Sequence, residues 1–315
     1  MRRFLVWLGL LAALTSVVSC APAVVGEQQR PSPTRTAAPA ITSTPTDHPT
    51  GVPATWTPVP NTPTPTLYPT ATPVPTDQPP LIALDPGHGG EDLGAVRVDE
   101  NGAYAYAESD VNLALVLRIR DRLLARGYRV LLTRDGDYEA NSEGADVNQD
   151  GIVDHVDDLQ LRIDAVNAAG ADALISVHQN AFYWPDGSRA SDVGGTVTFY
   201  NVYRPFANQN ERLASLVQEE LVIALRGIGH DVLDRGIQVD HELEADPEGG
   251  QFLILLGPES ERILRPSEMP AVLSETLFMT HDRESELLQD PEVLDTLAEA
   301  YAVAIERYFQ RNGQP

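Results

Sequence analysis

The stretch LIALDPGHGG, residues 81–90, decides the fold, because it joins a buried strand to a turn that carries a polar side chain. The four apolar residues at 81–84 predict a strand that is covered on both faces. The DPG turn and two glycines then end that strand, with His88 just past its carboxyl end. Sites in open α/β sheets lie beyond the carboxyl ends of the strands. The stretch therefore indicates such a sheet with an imidazole at its functional edge.

The segment from residue 81 onward alternates apolar runs with helical periodicity. Strands are predicted at 81–84, 128–133, 171–178, 195–200, 251–256 and 270–275. Helices are predicted from an N-cap at Ser109 to Gly127, at about 158–167 and 207–226, and from 290–293 onward. This alternation predicts one α/β catalytic domain over 81–315, with a mostly parallel sheet and helices on both faces.

The amino terminus is typical of an exported protein. Two arginines precede an apolar run that is too short to span a membrane comfortably, as in a signal peptide over residues 1–20. The string VVSC places the chain's single cysteine, Cys20, where it resembles the lipobox of bacterial lipoproteins, whose thiol is acylated. The alternative is ordinary secretion with cleavage near Ala23. A single cysteine excludes an internal disulfide.

Composition separates the next segment from the domain. Residues 31–80 hold 15 of the 25 prolines together with 14 threonines. Because such a segment has few apolar side chains to bury, we expect residues 21–80 to form a disordered, extended spacer. The net charge of -24 predicts a surface that repels nucleic acid, so no nucleic-acid partner is expected.

Four polar residues are expected at one edge of the sheet. His178 ends the run ALISVH, Glu275 ends PAVLSE, and Glu108 precedes the helix that follows the strand of His88. Two histidines and one carboxylate are the ligand set of a hydrolytic zinc site with an open position for water, and a second carboxylate moves the proton. Glu108 and Glu275 could fill either carboxylate role. The alternative for each histidine is a hydrogen-bonded packing residue at a strand end.

The local strings favour the zinc interpretation. In order, they are ALDPGHGGEDLGAV, ESDVNLALVLRIRDRLLARGYRVLLTR, LQLRIDAVNAAGADALISVHQNA, GGTVTFY and MPAVLSETLF. Over roughly 81–310 they closely resemble the zinc-dependent N-acetylmuramoyl-L-alanine amidases of the family called Amidase_3. The resemblance implies that zinc is held by His88, Glu108 and His178, and that Glu275 is the catalytic carboxylate. It also implies that Asn180 contacts the substrate or a zinc ligand.

The resemblance implies a peptidoglycan hydrolase. Its reaction would cleave the amide between N-acetylmuramic acid and the L-alanine of the stem peptide, using water activated by zinc. We expect the protein outside the cytoplasm, anchored in a membrane by its lipid and facing the cell wall across the spacer. The alternatives are a catalytically inactive wall-binding lipoprotein of the same fold, or another zinc peptidase acting on stem peptides. No activating protein partner can be read from the sequence.

The sequence departs from the family pattern after Glu275. Leu277 replaces a glycine and His281 an asparagine. We expect Leu277 to narrow the groove beside the carboxylate, and His281 to be a surface residue rather than a substrate contact. The family's arginine on the second helix falls on Arg162, for which we expect a structural role.

A second metal site is predicted in the loop DVNQDGIVDHVDDL, residues 146–159. Its spacing is that of an EF-hand calcium loop with the closing aspartate of dockerin-like repeats. Only one copy is visible, so a structural calcium clip is expected rather than a docking module. The alternative is a solvated acidic loop. The predicted calcium ligands are Asp146, Asn148, Asp150, the carbonyl of Ile152, Asp154 and Asp157.

Overall fold

The structure is a computed structural model, and it describes residues 78–99, 101–240 and 252–310. The predicted signal peptide, Cys20 and the predicted spacer up to residue 77 lie outside the described residues. Within the described ranges, no helix is both long enough and apolar enough to cross a membrane.

The described residues form eight strands and five helices. The strands are β1 (Leu81–Pro86), β2 (Val96–Val98), β3 (Tyr104–Ala107), β4 (Arg129–Leu132), β5 (Ala173–Asn180), β6 (Thr196–Tyr200), β7 (Asp234–Val239) and β8 (Ala271–Phe278). The helices are α1 (Glu108–Ala125), α2 (His155–Ala169), α3 (Ala207–Gly227), α4 (Asp282–Leu287) and α5 (Pro291–Gln310).

Six strands form the central sheet in the order β4-β1-β5-β8-β6-β7. The first four run parallel, whereas β6 is antiparallel to β8 and β7 runs parallel to β6. The prediction of an α/β domain with a mostly parallel sheet is therefore confirmed. The carboxyl ends of β1, β5 and β8 meet at one edge, which we call the carboxyl edge.

Helices cover both faces of this sheet, as the apolar patterns predict. On one face the largest core cluster joins α1, α3 and α5 to the strands, through residues such as Leu115, Leu221 and Ile305. On the other face Val166 of α2 packs with Leu174 of β5 and neighbouring apolar residues. Because β1, β5 and β8 are buried along their whole length, each begins as an apolar run, and polar residues such as Asp85, His178 and Glu275 come only later in the strand.

Two predicted strand assignments differ from the structure. Residues 252–256 are not a strand, because Leu256 N–H bonds back to the Leu253 carbonyl in a turn that is buried against Val156 and Ile163. An apolar run of this length signals burial but does not distinguish a strand from a buried turn. Conversely, β7 was missed because its sequence, DRGIQV, is half polar, which suits its place at the edge of the sheet.

The start of α1 also differs from the prediction. The helix begins at Glu108, with Ala107 rather than Ser109 at the N-cap, and Ser109 is buried within the first turn. The Asp110 carboxylate accepts a hydrogen bond from Ala107 N–H, which caps the helix without a serine. The hairpin of β2 and β3, which the sequence analysis did not predict, leads directly into this helix. Glu108 is thereby fixed at a helix start rather than in a loop.

Candidate active site

Three residues from three separate segments meet at the carboxyl edge. His88 lies in the turn after β1, Glu108 is the first residue of α1, and His178 lies near the carboxyl end of β5. Each offers a ligand atom, and these atoms lie within 4.8 Å of one another. Among the described residues, these three are the histidine and acidic side chains that lie close enough together to hold a metal ion.

Glu108 is the centre of this group. Its Oε1 atom lies 3.1 Å from His88 Nε2 and 3.1 Å from His178 Nδ1. The carboxylate is also held by the backbone, since Oε1 accepts from Gln179 N–H and Oε2 accepts from Ala95 N–H. Burial alone would raise the pKa of Glu108, but the two imidazoles outweigh it and hold the pKa well below its usual range. The Glu108 carboxylate therefore keeps its negative charge although it is buried.

The donor set fits a zinc ion. Two nitrogen or oxygen ligands about 2 Å from a tetrahedral zinc are about 3.3 Å apart, close to the 3.1 Å separations seen here. His88 Nδ1 faces Asp92 Oδ2 at 2.7 Å, so a proton on Nδ1 leaves the Nε2 lone pair for a metal. Zinc-binding histidines commonly have such a carboxylate partner. The types of donor atom and the spacing about Glu108 therefore suit a zinc ion.

Two glycines let the backbone approach these side chains closely. A Cβ atom on Gly87 would lie 2.2 Å from the His178 ring. A Cβ atom on Gly94, whose φ is +65°, would lie 2.6 Å from Glu108 Oε2 and from the His88 ring. Any larger residue at either position would displace a member of the group.

Glu275 lies beside His178, because the two residues are register partners on β8 and β5. Its side chain is buried, and its Oε2 atom has no hydrogen-bond partner among the described residues. Burial raises the pKa of Glu275 well above its usual range, and the nearby charge of Glu108 raises it further. Two carboxylates with pKa values pushed in opposite directions are the arrangement found in acid–base sites.

Asn180 is the next residue on the same face of β5 as His178. Ala181 N–H donates to its Oδ1 at 2.8 Å, and this contact fixes which way the amide points. The Nδ2 group is buried and has no partner in the described part of the chain. Buried polar atoms without partners are rare and often have a functional reason.

Several residues that support the site were not found from the sequence. Asp92 holds His88, Asn112 bonds to both Glu108 and the Gly87 carbonyl, and Gln179 bonds to Asn112. Asp92, four residues after His88, could have been noticed as a partner for the imidazole. Asn112 was detectable only once α1 was known to begin at Glu108, because only then do the two residues lie one helical turn apart.

The acidic loop at 146–157 has a different geometry. Backbone N–H groups of the loop itself and of the start of α2 already bond to its predicted side-chain ligands. The acceptors are Asp146 for Gly151, Asn148 for Asp150, Asp150 for Ile152, Asp154 for Val156, and Asp157 for Val147, Asn148 and Asp154. In the described residues, its carboxylates do not form a group with converging ligand atoms. The calcium site stays a prediction.

The two departures from the family pattern serve packing and capping. Leu277 is fully buried in the core cluster that lies against α1, α3 and α5, so the expectation that it narrows the groove is wrong. The bulge between β5 and β8 after His178 and Glu275 accompanies this placement. His281 is the N-cap of α4, where its Nδ1 accepts from Glu284 N–H.

The chain matches the family described as Amidase_3, N-acetylmuramoyl-L-alanine amidase, over residues 82–307. A germination-specific N-acetylmuramoyl-L-alanine amidase of Bacillus subtilis is 29% identical over 235 residues, which are 75% of this chain and 82% of that protein.

Solved structures of amidases resemble the fold. N-acetylmuramoyl-L-alanine amidase AmiC2 of Nostoc punctiforme is 25% identical, with a TM-score of 0.52 over 74% of this chain and 98% of that one. The CwlD amidase from Clostridioides difficile, solved in complex with the GerS lipoprotein, is 24% identical, with a TM-score of 0.55 over 74% and 99%. The second likeness concerns the fold alone.

Proposed function

The chain belongs to the N-acetylmuramoyl-L-alanine amidase family Amidase_3, and on this basis we propose that it hydrolyses the amide between N-acetylmuramic acid and the L-alanine of the peptidoglycan stem peptide. The observation that carries the proposal is the convergence of His88, Glu108 and His178 on one point, with Glu275 at the same edge. The chemistry of an amide hydrolase needs a carbonyl-polarising group and a proton carrier, and these four side chains fit both roles.

His88, Glu108 and His178 are the residues that would hold a zinc ion. When bound there, zinc supplies a Lewis acid that polarises the scissile carbonyl and lowers the pKa of water. Asp92 fixes the tautomer of His88, so that Nε2 faces the site. The backbone bonds to Glu108 hold its carboxylate in place before any ligand arrives.

Glu275 is proposed as the proton carrier. Its Oε2 atom, which has no partner in the described part of the chain, can accept a proton from the attacking water and return it to the alanine nitrogen as the amide bond breaks. The raised pKa of this carboxylate, caused by burial and then by Glu108, favours such an exchange near neutral pH.

Asn180 is proposed as a substrate contact. Because Ala181 holds its oxygen, only the Nδ2 hydrogens are available, and the substrate's scissile carbonyl or a neighbouring one could accept them. This would explain why a buried donor has no partner among the described residues.

Location and tethering complete the proposal. A lipid at Cys20 would anchor the protein on the outer side of a membrane, and the Pro/Thr-rich spacer would let the domain over 81–315 reach the cell wall. Membership of a cell-wall amidase family supports activity outside the cytoplasm.

The calcium proposal is independent of the zinc proposal. Spacing supports it, since Asp146, Asn148, Asp150, Asp154 and Asp157 occupy the ligand positions of an EF-hand loop. Gly151 has a φ of +87°, as the sharp turn of such a loop requires at that position. The ion would have a structural role and would hold the loop against the start of α2.

The test is to incubate the full chain with purified peptidoglycan and to analyse the soluble products. We expect free stem peptides that begin with L-alanine, their loss on adding a chelator, and their return on adding zinc. Binding to peptidoglycan without released peptides would favour an inactive wall-binding protein. Cuts within the stem peptide would favour another peptidase.

A further inference from the structure

Arg134, just beyond the end of β4, lies beneath the proposed zinc site and is almost completely buried. Its four hydrogen bonds all go to backbone carbonyl oxygens: Pro86 at 2.9 Å, Gly87 at 3.0 Å, Ser109 at 2.9 Å and Gly136 at 3.0 Å. Gly87 precedes His88, and Ser109 follows Glu108. One nitrogen, Nη2, therefore joins the two backbone segments that carry these proposed ligands.

A second arginine holds the other side of the same turn. Arg162 of α2 donates to the carbonyls of Pro86 and His88, and its charge is balanced by Asp85 and Asp158. His88 has a φ of +63°, a left-handed conformation that costs a residue with a side chain about 1–2 kcal/mol. Such a conformation persists only where the surroundings determine it. The two guanidinium groups provide those surroundings.

The position of Arg134 also explains the glycine that directly follows His88. A Cβ atom on Gly89, whose φ is +127°, would lie 2.8 Å from Arg134 Nε and 2.9 Å from its Cδ. The arginine stem thus packs directly against the turn that carries the imidazole. A planar group with five donors can reach carbonyls on several segments at once, which a lysine ammonium cannot do with the same geometry.

We infer that Arg134 is a positioning residue that sets the spacing between His88 and Glu108 and thereby the affinity of the site for its metal ion. The inference rests on the proposed function, because it takes these residues as the zinc ligands. It predicts that loss of Arg134 weakens zinc binding more than it weakens the fold. Changes around metal ligands typically lower metal affinity 10–100-fold.

The experiment measures zinc affinity by competition with a chromogenic chelator on the full chain, beside the melting temperature of the metal-free protein. We expect Arg134→Met to bind zinc 10–100-fold more weakly, and Arg134→Lys to be intermediate, because it keeps the charge and loses most of the hydrogen bonds. If Arg134→Met does not fold, the comparison rests on Arg134→Lys.

Arg204 provides a matched control. It is also buried and donates to backbone carbonyls, those of Leu256 and Gly257, but it follows β6, whose carboxyl end lies at the opposite edge of the sheet. We expect Arg204→Met to lower the melting temperature and to leave zinc affinity within about threefold of the parent chain.

Two results would overturn the inference: unchanged zinc affinity in the folded Arg134 variants, or an equal loss in Arg204→Met, which would indicate a general effect of stability. Failure of the proposed function looks different, because the parent chain would then release no stem peptides that begin with L-alanine, whatever its zinc affinity. A kinetic readout adds a further check: partial restoration of kcat in Arg134→Met by excess zinc, with KM for peptidoglycan unchanged.

Discussion

At the carboxyl edge of the sheet, carboxylates and imidazoles come from four separate segments, whereas the acidic loop draws its carboxylates from twelve consecutive residues. The edge groups are buried and rigidly supported, and Glu275 and Asn180 retain atoms without partners among the described residues. In the loop, Asp146, Asp150 and Asp154 are exposed, and each already accepts a backbone N–H.

The difference lies in what holds each region together. At the edge, strands, a helix start and two arginines fix the backbone, so the side chains are available to a ligand. In the loop, the same side chains that would bind an ion also hold the backbone in its turn. An ion there would require exposed carboxylates to converge on it, whereas an ion at the edge would meet buried ligand atoms that already lie within 4.8 Å of one another.

The largest expected effect is at Glu275. Glu275→Gln should lower kcat on peptidoglycan by about 100–10,000-fold, because the amide cannot carry the proton. Zinc affinity should change little, since Glu275 is not among the proposed ligands. Glu284→Gln is a useful control, because Glu284 is also buried but its oxygens accept from Gly195 and Phe278 N–H. Glu284→Gln should lower the stability of the protein and leave kcat per folded molecule unchanged. Full activity in Glu275→Gln would exclude its proposed role.

The second effect concerns the support of His88. Asp92→Asn should weaken zinc binding about 10–100-fold, because the amide cannot fix the imidazole tautomer as the carboxylate does. Asp99→Asn serves as the control, since among the described residues the Asp99 carboxylate accepts from Asn101 and from Ala103 N–H in an exposed turn. Both variants would be compared by chelator competition. Equal affinities would mean that the edge does not depend on this contact.

These supporting contacts also mark the limit of sequence reasoning. His88, His178 and Glu275 were predictable because each follows or ends an apolar run, and parallel strands end at the same edge. Glu108 was placed there because it precedes the helix that follows the first strand. Arg134 was not predictable, because its partners are backbone carbonyls, which leave no trace in a residue pattern. Its contacts with Pro86 and Gly87 span almost fifty residues of chain.

The secondary-structure elements also differ in whether the sequence could predict them. Buried strands such as β1 and β5 could be predicted from their apolar runs, and α5 from the proline in its first turn. The run at 251–256 was wrongly predicted as a strand, because burial, which sets the apolar pattern, also occurs in turns. The half-polar strand β7 and the hairpin of β2 and β3 carry too few apolar residues for their pairing to show.

The third prediction concerns the buried ion pair of Asp85 and Arg162, which lies beneath His88. Burial alone would raise the pKa of Asp85, but Arg162 and the Thr133 and Ser176 hydroxyls lower it from 3.8 to about 2. Asp85 therefore stabilises the fold fully above pH 4, and this contribution is lost as the pH falls from about 4 toward 2. The shift corresponds to roughly 2–3 kcal/mol.

Asp85→Asn should accordingly destabilise the protein at pH 6, and its deficit relative to the parent chain should shrink below pH 4. Chemical denaturation at pH 6, 4 and 3 measures this. Asp164→Asn removes the partly exposed ion pair between Asp164, which like Arg162 lies on α2, and Arg265, and it should cost less than about 1 kcal/mol. A deficit that is independent of pH would show that Asp85 acts through packing and not through its charge.

The smallest effect is expected at the acidic loop. Calcium at ten times its dissociation constant should stabilise the protein by about 1.4 kcal/mol, which raises the melting temperature of a domain of this size by a few degrees. Asp150→Ala should abolish that rise, because Asp150 occupies a ligand position. Asp186→Ala should keep it, since Asp186 is an exposed aspartate that lies outside this loop and accepts hydrogen bonds from Ser188 in a turn. If calcium does not change the melting temperature of the parent chain, the loop is held by its own hydrogen bonds, and only the edge is a metal site.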